Sequence, residues 1–143
     1  FGATGALDAG DADVVARLRV EAPEHGFDWT IVTSGNPEAI RLGVEIVRPG
    51  GTACIVGLAP SGQAVPVDML DLVTYERRIV GSAYGSLTPT VLVPRILDLY
   101  LRGAIRLDDL VTHRFPFEAI DEAFDLSRRA AGMRAVLDVG AGW

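Results

Sequence analysis

The run Thr52–Leu58, TACIVGL, constrains the fold more than any other feature of the chain. A strand with one wet face alternates apolar and polar residues. A run that is apolar throughout is what a strand covered on both faces of a parallel sheet requires. A second compact run, Trp29–Thr33, is rich in β-branched residues and stops at Ser34-Gly35. Between the two lies a helix with a well-marked start. Asn36 is suited to cap the free amides, and Pro37 suits the first helical position because its missing N–H would be unpaired there anyway. Ile40, Val44 and Val47 recur at helical spacing, and Pro49-Gly50-Gly51 is expected to end the segment. The interval leaves room for the crossover helix of a right-handed βαβ unit.

The same alternation continues along the chain. Asp11–Val20 reads as a helix with Val14, Val15 and Leu18 on one face, preceded by a possible minor strand at Ala6-Leu7. Asp68 is placed to cap a short helix through Tyr75, and Arg78–Ala83 returns as a strand ending at Tyr84-Gly85. Val91–Arg102 is an amphipathic helix, in which Pro94 fits if it sits near the first turn. Phe117–Arg129 is a further helix, with Ile120, Ala123, Phe124 and Ser127 on one side, and Arg134–Val139 a last strand. Alternating β and α elements imply an α/β fold: a doubly wound, mainly parallel sheet of Rossmann type with flanking helices.

Composition narrows the function classes. A chain of 143 residues, 49% hydrophobic and 22% charged, can form a sizeable core. A net charge of −6 offers no basic stripe, so nucleic acid is not expected as a partner. The cations are all arginine, which excludes lysine chemistry in this segment. No apolar run reaches the ~18 residues that a membrane span needs, and no membrane partner is expected. Cys54 has no partner for a disulfide and no Cys/His cluster has zinc-site spacing, so no metal ligands are assigned and a reducing cytoplasm is expected. A start at Phe1 rather than Met is expected of an internal piece.

In parallel sheets ligands bind beyond the carboxyl ends of the strands. That rule points to Thr33-Ser34-Gly35, Val56-Gly57-Leu58 and Ser82-Ala83-Tyr84, with glycines that let backbone approach a ligand. Other chemistry-bearing residues carry plainer readings. His25 and His113 have no visible partner, and Cys54 in an apolar strand reads as a small hydrophobe. Asp108-Asp109 and Glu118, Asp121, Glu122 read as solvated faces or helix starts. No catalytic residue is assigned.

The ordered set FGAT, FDWTIVTSGNPEAI, VRPGGTACIVGL, RRIVGSAYGS, VPRILDLYLRG, VTHRFPFEAIDEAF and MRAVLDV closely resembles the second half of zinc-type medium-chain alcohol dehydrogenases, over essentially the whole chain. The resemblance implies that residues 1–143 are the C-terminal portion of a nucleotide-binding domain, with 108–143 packing back toward a catalytic domain outside this sequence. It implies NAD or NADP as cofactor and a small alcohol or aldehyde as substrate. Thr33, Ser34 and Gly35 match a loop against the riboses. Val56 matches a position whose carbonyl holds the nicotinamide carboxamide, with Gly57 and Leu58 completing that loop. Ser82 and Tyr84, flanking Ala83, match positions whose backbone accepts from and donates to the same carboxamide. Arg134 matches an arginine on the pyrophosphate, where a guanidinium offers permanent charge and paired donors. The strand ending at Ala83 matches an edge used for homodimer pairing.

The departures are as informative. The glycine-rich phosphate turn, the acidic residue that reads the ribose, and the zinc ligands have no counterpart here. Zinc would therefore belong to the parent protein only, and this chain is expected to be inactive alone. Three alternatives stay open on the sequence: a zinc-free quinone or enoyl reductase of the same superfamily, a fragment of an S-adenosylmethionine-dependent methyltransferase, and a non-enzymatic oligomerisation module.

Overall fold

A computed structural model describes residues 2–8, 10–22 and 24–140; Phe1, the first residue of the FGAT motif, lies outside them. The chain divides into two compact units, one of residues Gly2–Thr88 and the other from Pro89 onward.

The first unit contains α1 (Val14–Glu21), β1 (Phe27–Val32), α2 (Pro37–Glu45), β2 (Val47–Ile55), α3 (Met69–Thr74) and β3 (Arg78–Gly81). Its three strands form one sheet in the order β1-β2-β3, and both pairings are parallel. Ile31, Ile55 and Ile79 thus lie on neighbouring strands that run the same way.

Local chemistry explains how α2 begins and docks. The Asn36 side chain accepts the Glu38 N–H at 2.9 Å, and Pro37 follows as the first helical residue. Gly43 lets the helix lie close to β1: a Cβ there would come within 2.4 Å of Val32 Cγ2. Thr30 Oγ1 donates to the Gly43 carbonyl at 2.7 Å and ties helix to strand. Val44, Val47 and Ala53 form the buried cluster beneath, with Ile55 and Val67 packed against it. Each buried valine contributes about 1.5–3 kcal/mol relative to an exposed one.

Several expected boundaries move. Val47 belongs to β2 rather than α2, and Pro49-Gly50-Gly51 lie inside the strand rather than in a turn before it. The pairing explains this. Phe27 faces Val47 but Trp29 faces Thr52, so residues 48–51 make an irregular excursion within the ladder, a place where proline and glycine are tolerated. Gly50 adopts φ +73°, and its N–H donates to the Tyr75 carbonyl at 2.8 Å. Strand β2 ends at Ile55, not Leu58, β1 starts at Phe27 and ends at Val32, and β3 ends at Gly81 rather than Ala83. No strand forms at Ala6-Leu7.

The sheet is also less covered than TACIVGL implied. Thr30 and Val32 face α2, but Trp29 and Ile31, on the opposite face of β1, are 62% and 68% exposed.

The second unit contains α4 (Pro89–Leu101), β4 (Val111–Pro116), α5 (Ile120–Arg128) and β5 (Arg134–Asp138). Strands β4 and β5 pair in parallel as a separate two-stranded sheet. Strand β4 was not anticipated from the sequence. The residues Phe117–Ala119, expected in α5, form a short 3-10 turn before it. Helix α4 begins at Pro89, earlier than expected, which leaves Pro94 inside it rather than in its first turn. The acidic pair at Asp108-Asp109 has structural partners: Tyr100 Oη donates to Asp108 at 2.7 Å and Arg106 pairs with Asp109 at 3.3 Å.

Candidate functional site

Three loops leave the same end of the first unit's sheet side by side. Val32 pairs with Ile55, and Ile55 with Gly81, so the last residues of β1, β2 and β3 stand in register. The next residues are Thr33, Val56 and Ser82. Parallel strands force this arrangement, because their carboxyl ends coincide. The nine expected residues Thr33, Ser34, Gly35, Val56, Gly57, Leu58, Ser82, Ala83 and Tyr84 therefore form one ledge.

The glycines also meet a demand of the fold itself. A Cβ on Gly57 would come within 2.3 Å of the Ser34 carbonyl carbon and oxygen, and one on Gly35 within 2.1 Å of the Leu58 oxygen. They allow the first two loops to approach each other. Val32 holds the junction together, its carbonyl accepting both the Val56 and Gly57 N–H groups at 2.9 Å. The Ser34 hydroxyl accepts the Asn36 N–H at 3.1 Å and joins the ledge to the start of α2. The third loop is bound to the second through Ser82 N–H, which donates to the Ile55 carbonyl at 3.0 Å.

Several backbone groups of the ledge have no backbone partner, and three of them could together hold an amide. Among the described residues no backbone partner is found for the Val56 carbonyl, the Ser82 carbonyl or the Tyr84 N–H. Two acceptors and one donor match an amide that offers an NH2 group and a carbonyl. Around them the surface is apolar and open: Leu58 is 92% exposed and Tyr84 82%. A flat, mostly apolar ring carrying a carboxamide suits such a surface, where few polar groups fix orientation. These residues therefore fit a nicotinamide. The turn that follows is strained, with Tyr84 at φ +48° and Ser86 at φ +58°, values that cost a non-glycine residue about 1 kcal/mol or more.

Arg134 lies in the second unit, as the first residue of β5 and on its exposed side. Among the described residues its guanidinium enters no ion pair. Two other residues gained a context that the sequence did not supply. His113 Nδ1 lies 3.0 Å from Thr112 Oγ1 and its ring stacks on Phe115, and Cys54 is half-buried in β2. Among the described residues no group of three or more His, Cys, Asp or Glu could hold a metal ion. The residues present do not fit a zinc site. No helix of the described residues is long and apolar enough to cross a membrane.

Comparison with known proteins agrees with this reading of the fold. The alcohol dehydrogenase class-3 of Myxine glutinosa is 34% identical over 97% of this chain and 37% of its own length. The class-3 enzyme of Caenorhabditis elegans is 34% identical over 82% of this chain and 31% of its own. The chain thus spans about a third of the length of these relatives. Among solved structures, benzyl alcohol dehydrogenase from Acinetobacter calcoaceticus superposes with a TM-score of 0.87 at 26% identity, covering 97% of this chain and 38% of that one. A protein from Sinorhizobium meliloti 1021 described as a zinc-binding dehydrogenase, solved with NADP, gives a TM-score of 0.76 at 29% identity over 96% of this chain and 40% of that one. Residues 1–100 match the family described as zinc-binding dehydrogenase, and the chain belongs to that family.

Proposed function

We propose that this chain supplies the nicotinamide-binding floor of an NAD(P)-dependent alcohol dehydrogenase, and that hydride transfer takes place above the ledge of Val56, Gly57, Leu58, Ser82, Ala83 and Tyr84. One observation carries the reading: among the described residues no partner is found for the Val56 carbonyl, the Ser82 carbonyl or the Tyr84 N–H, at the edge where β1, β2 and β3 end together. Bound there, a nicotinamide supplies the hydride donor or acceptor. The chain's own contribution is to bind and orient. Two carbonyls accept from the carboxamide NH2, the Tyr84 amide donates to its oxygen, and the exposed faces of Val56 and Leu58 exclude water beneath the ring. Thr33, Ser34 and Gly35 lie beside the riboses, and the chemistry of the Arg134 guanidinium in the second unit suits a phosphate anion.

A zinc ion, if the parent protein uses one, is held by residues outside this chain, since the described residues offer no ligand set. The substrate is a small alcohol or aldehyde, and the isolated chain is inactive because it lacks the residues for the chemical step. The unpaired side of β3 is where a second copy pairs, since β3 is the last strand of its sheet. The setting is the cytoplasm. Family membership and the all-parallel pairing leave the methyltransferase alternative without support.

Titration of the full-length protein with NADH, NADPH and S-adenosylmethionine tests the reading. One reduced nicotinamide cofactor is expected to bind, and a variant with Leu58→Asp, which puts a charge on the exposed apolar surface beneath the ring, to bind it more weakly. A protein that binds S-adenosylmethionine and neither reduced cofactor overturns the proposal. Turnover of quinones that survives metal chelation moves it to the zinc-free reductase branch.

A further inference from the structure

We infer that Ser86 is a positioning residue for the nicotinamide, an inference that rests on the function proposed above. Its hydroxyl closes on that of Ser82 and holds the turn from which the third loop offers the Ser82 carbonyl and the Tyr84 N–H.

The backbone of this turn is unusual. The chain is extended at Ala83, with φ −111° and ψ 126°, and extended again at Leu87, with φ −126° and ψ 155°. Between them lie three successive residues in the left-handed region: Tyr84 at φ +48°, Gly85 at +68° and Ser86 at +58°. Glycine suits that region, but a residue with a Cβ is strained there. The other non-glycine residues at positive φ among the described residues have an ordinary reason for it. Glu76 and Ala130 each follow the end of a helix, where their N–H groups donate to the Val73 carbonyl at 3.2 Å and the Ser127 carbonyl at 3.0 Å. Tyr84 and Ser86 follow a strand and have no helix behind them.

Strain of this kind persists only where the surroundings hold it. Ala83, Tyr84, Gly85 and Ser86 are all exposed, so packing does not hold this turn. Hydrogen bonds take that task. Ser86 N–H donates to the Ala83 carbonyl at 2.8 Å, and Ser86 Oγ donates to Ser82 Oγ at 3.2 Å. Ser82 is half-buried and is itself fixed to β2, its N–H donating to the Ile55 carbonyl at 3.0 Å. The hydroxyl pair therefore ties the far end of the turn to a residue anchored on the sheet. Both groups that the loop offers to a carboxamide lie within the segment so closed. Holding them in place beforehand reduces the freedom lost when the amide binds between them.

The test uses the full-length protein, whichever of NADH and NADPH it binds, and the matching fragment without nicotinamide (ADP-ribose or its 2′-phosphate). Ser86→Ala, which removes the hydroxyl, is expected to weaken the reduced cofactor about two- to fivefold. That is the lower part of the range for one lost hydrogen bond, because this one is long. The fragment should bind variant and native protein alike, since it carries no carboxamide. Ser82→Ala removes the other half of the pair and should act as Ser86→Ala does, and the double variant should be no weaker than either single one. Ser86→Gly separates positioning from folding. Glycine relieves the left-handed strain, so the melting temperature should hold or rise while the affinity for reduced cofactor still falls. Native cofactor affinity in Ser86→Gly overturns the inference, as does equal weakening of cofactor and fragment in Ser86→Ala. Additive losses in the double variant overturn it too. If the native protein binds neither reduced cofactor, the function proposed above falls and the inference with it. If it binds one and every variant binds it equally well, the inference falls alone.

Discussion

Replacing Gly57 by alanine should damage this protein far more than replacing Gly81, although the two glycines lie at the carboxyl ends of adjacent strands. A Cβ on Gly57 would stand 2.3 Å from the Ser34 carbonyl carbon and oxygen and 2.7 Å from its nitrogen. Carbon atoms in contact prefer about 3.5–4.0 Å, so the two loops must separate by about 1 Å. The obstacle is backbone, which cannot rotate away as a side chain can. Ser34 is also tied to Asn36, and Gly57 N–H to the Val32 carbonyl, so the strain spreads into α2 and β1. Overpacking of this kind costs about 1–3 kcal/mol, and a backbone obstacle places Gly57→Ala toward the upper end. At about 4–8 °C per kcal/mol for a unit of this size, the upper end is a fall in melting temperature of roughly 10–20 °C. A Cβ on Gly81, by contrast, meets nothing within 4 Å, and its φ lies outside the left-handed region. Gly81→Ala should be neutral or stabilising by about 0.5 kcal/mol, through the unfolded chain. Urea denaturation of the two variants, followed by tryptophan fluorescence, makes the comparison. Coincident midpoints would refute the claim that these loops are in backbone contact.

Three further outcomes follow from other parts of the structure. Ala130 sits just past the end of α5 at φ +49°, with its N–H donating to the Ser127 carbonyl, so Ala130→Gly should stabilise the second unit by about 1 kcal/mol; a lower melting temperature would refute that. Asp68 accepts the N–H groups of Leu70 at 2.9 Å and Asp71 at 3.1 Å, so Asp68→Ala should cost about 1 kcal/mol in denaturation, and Asp68→Asn much less. The Tyr100 phenol is raised above its ordinary pKa of 10.0, first by its hydrogen bond to Asp108 and then by that carboxylate's charge. A group raised in the folded state stabilises fully below its unfolded pKa and loses that contribution as pH rises through the folded one. The stability difference between the native protein and Tyr100→Phe should therefore be constant at neutral pH and shrink above pH ~10; a difference unchanged through that range would contradict the contact.

The candidate site was legible in the sequence to the extent that it depends on strand ends. Trp29–Thr33 and Arg78–Ala83 each announced a strand and a stop, and the rule for parallel sheets then located the ledge. The hydrogen bonds that unite the ledge were not legible. No pattern in the chain says that the Val32 carbonyl serves both Val56 and Gly57, or that Gly35 and Gly57 yield space to Leu58 and Ser34 before they yield it to any ligand. Strand β4 was missed for a related reason. VTHRFP carries a histidine, an arginine and a proline in an exposed two-stranded sheet, so it shows neither a clean period of two nor a continuous apolar run. Val47 was misread because its spacing from Ile40 and Val44 suits a helix, while its burial at 2% exposure belongs to the strand.

By itself the sequence determined the class of fold, the direction of the strands, the capped starts of α2 and α3, and the family. The first three depend on local propensity and on apolar periodicity, which are properties of residues close together in the chain; the family rests on the resemblance of the ordered motifs. The tertiary structure alone decided which backbone groups remain unpaired and why two glycines are indispensable. Each of these is a matter of what lies within a few ångströms across strands from distant parts of the chain. A carbonyl is left free for a ligand only by the positions of every other donor around it, and no stretch of sequence specifies those separately from the fold.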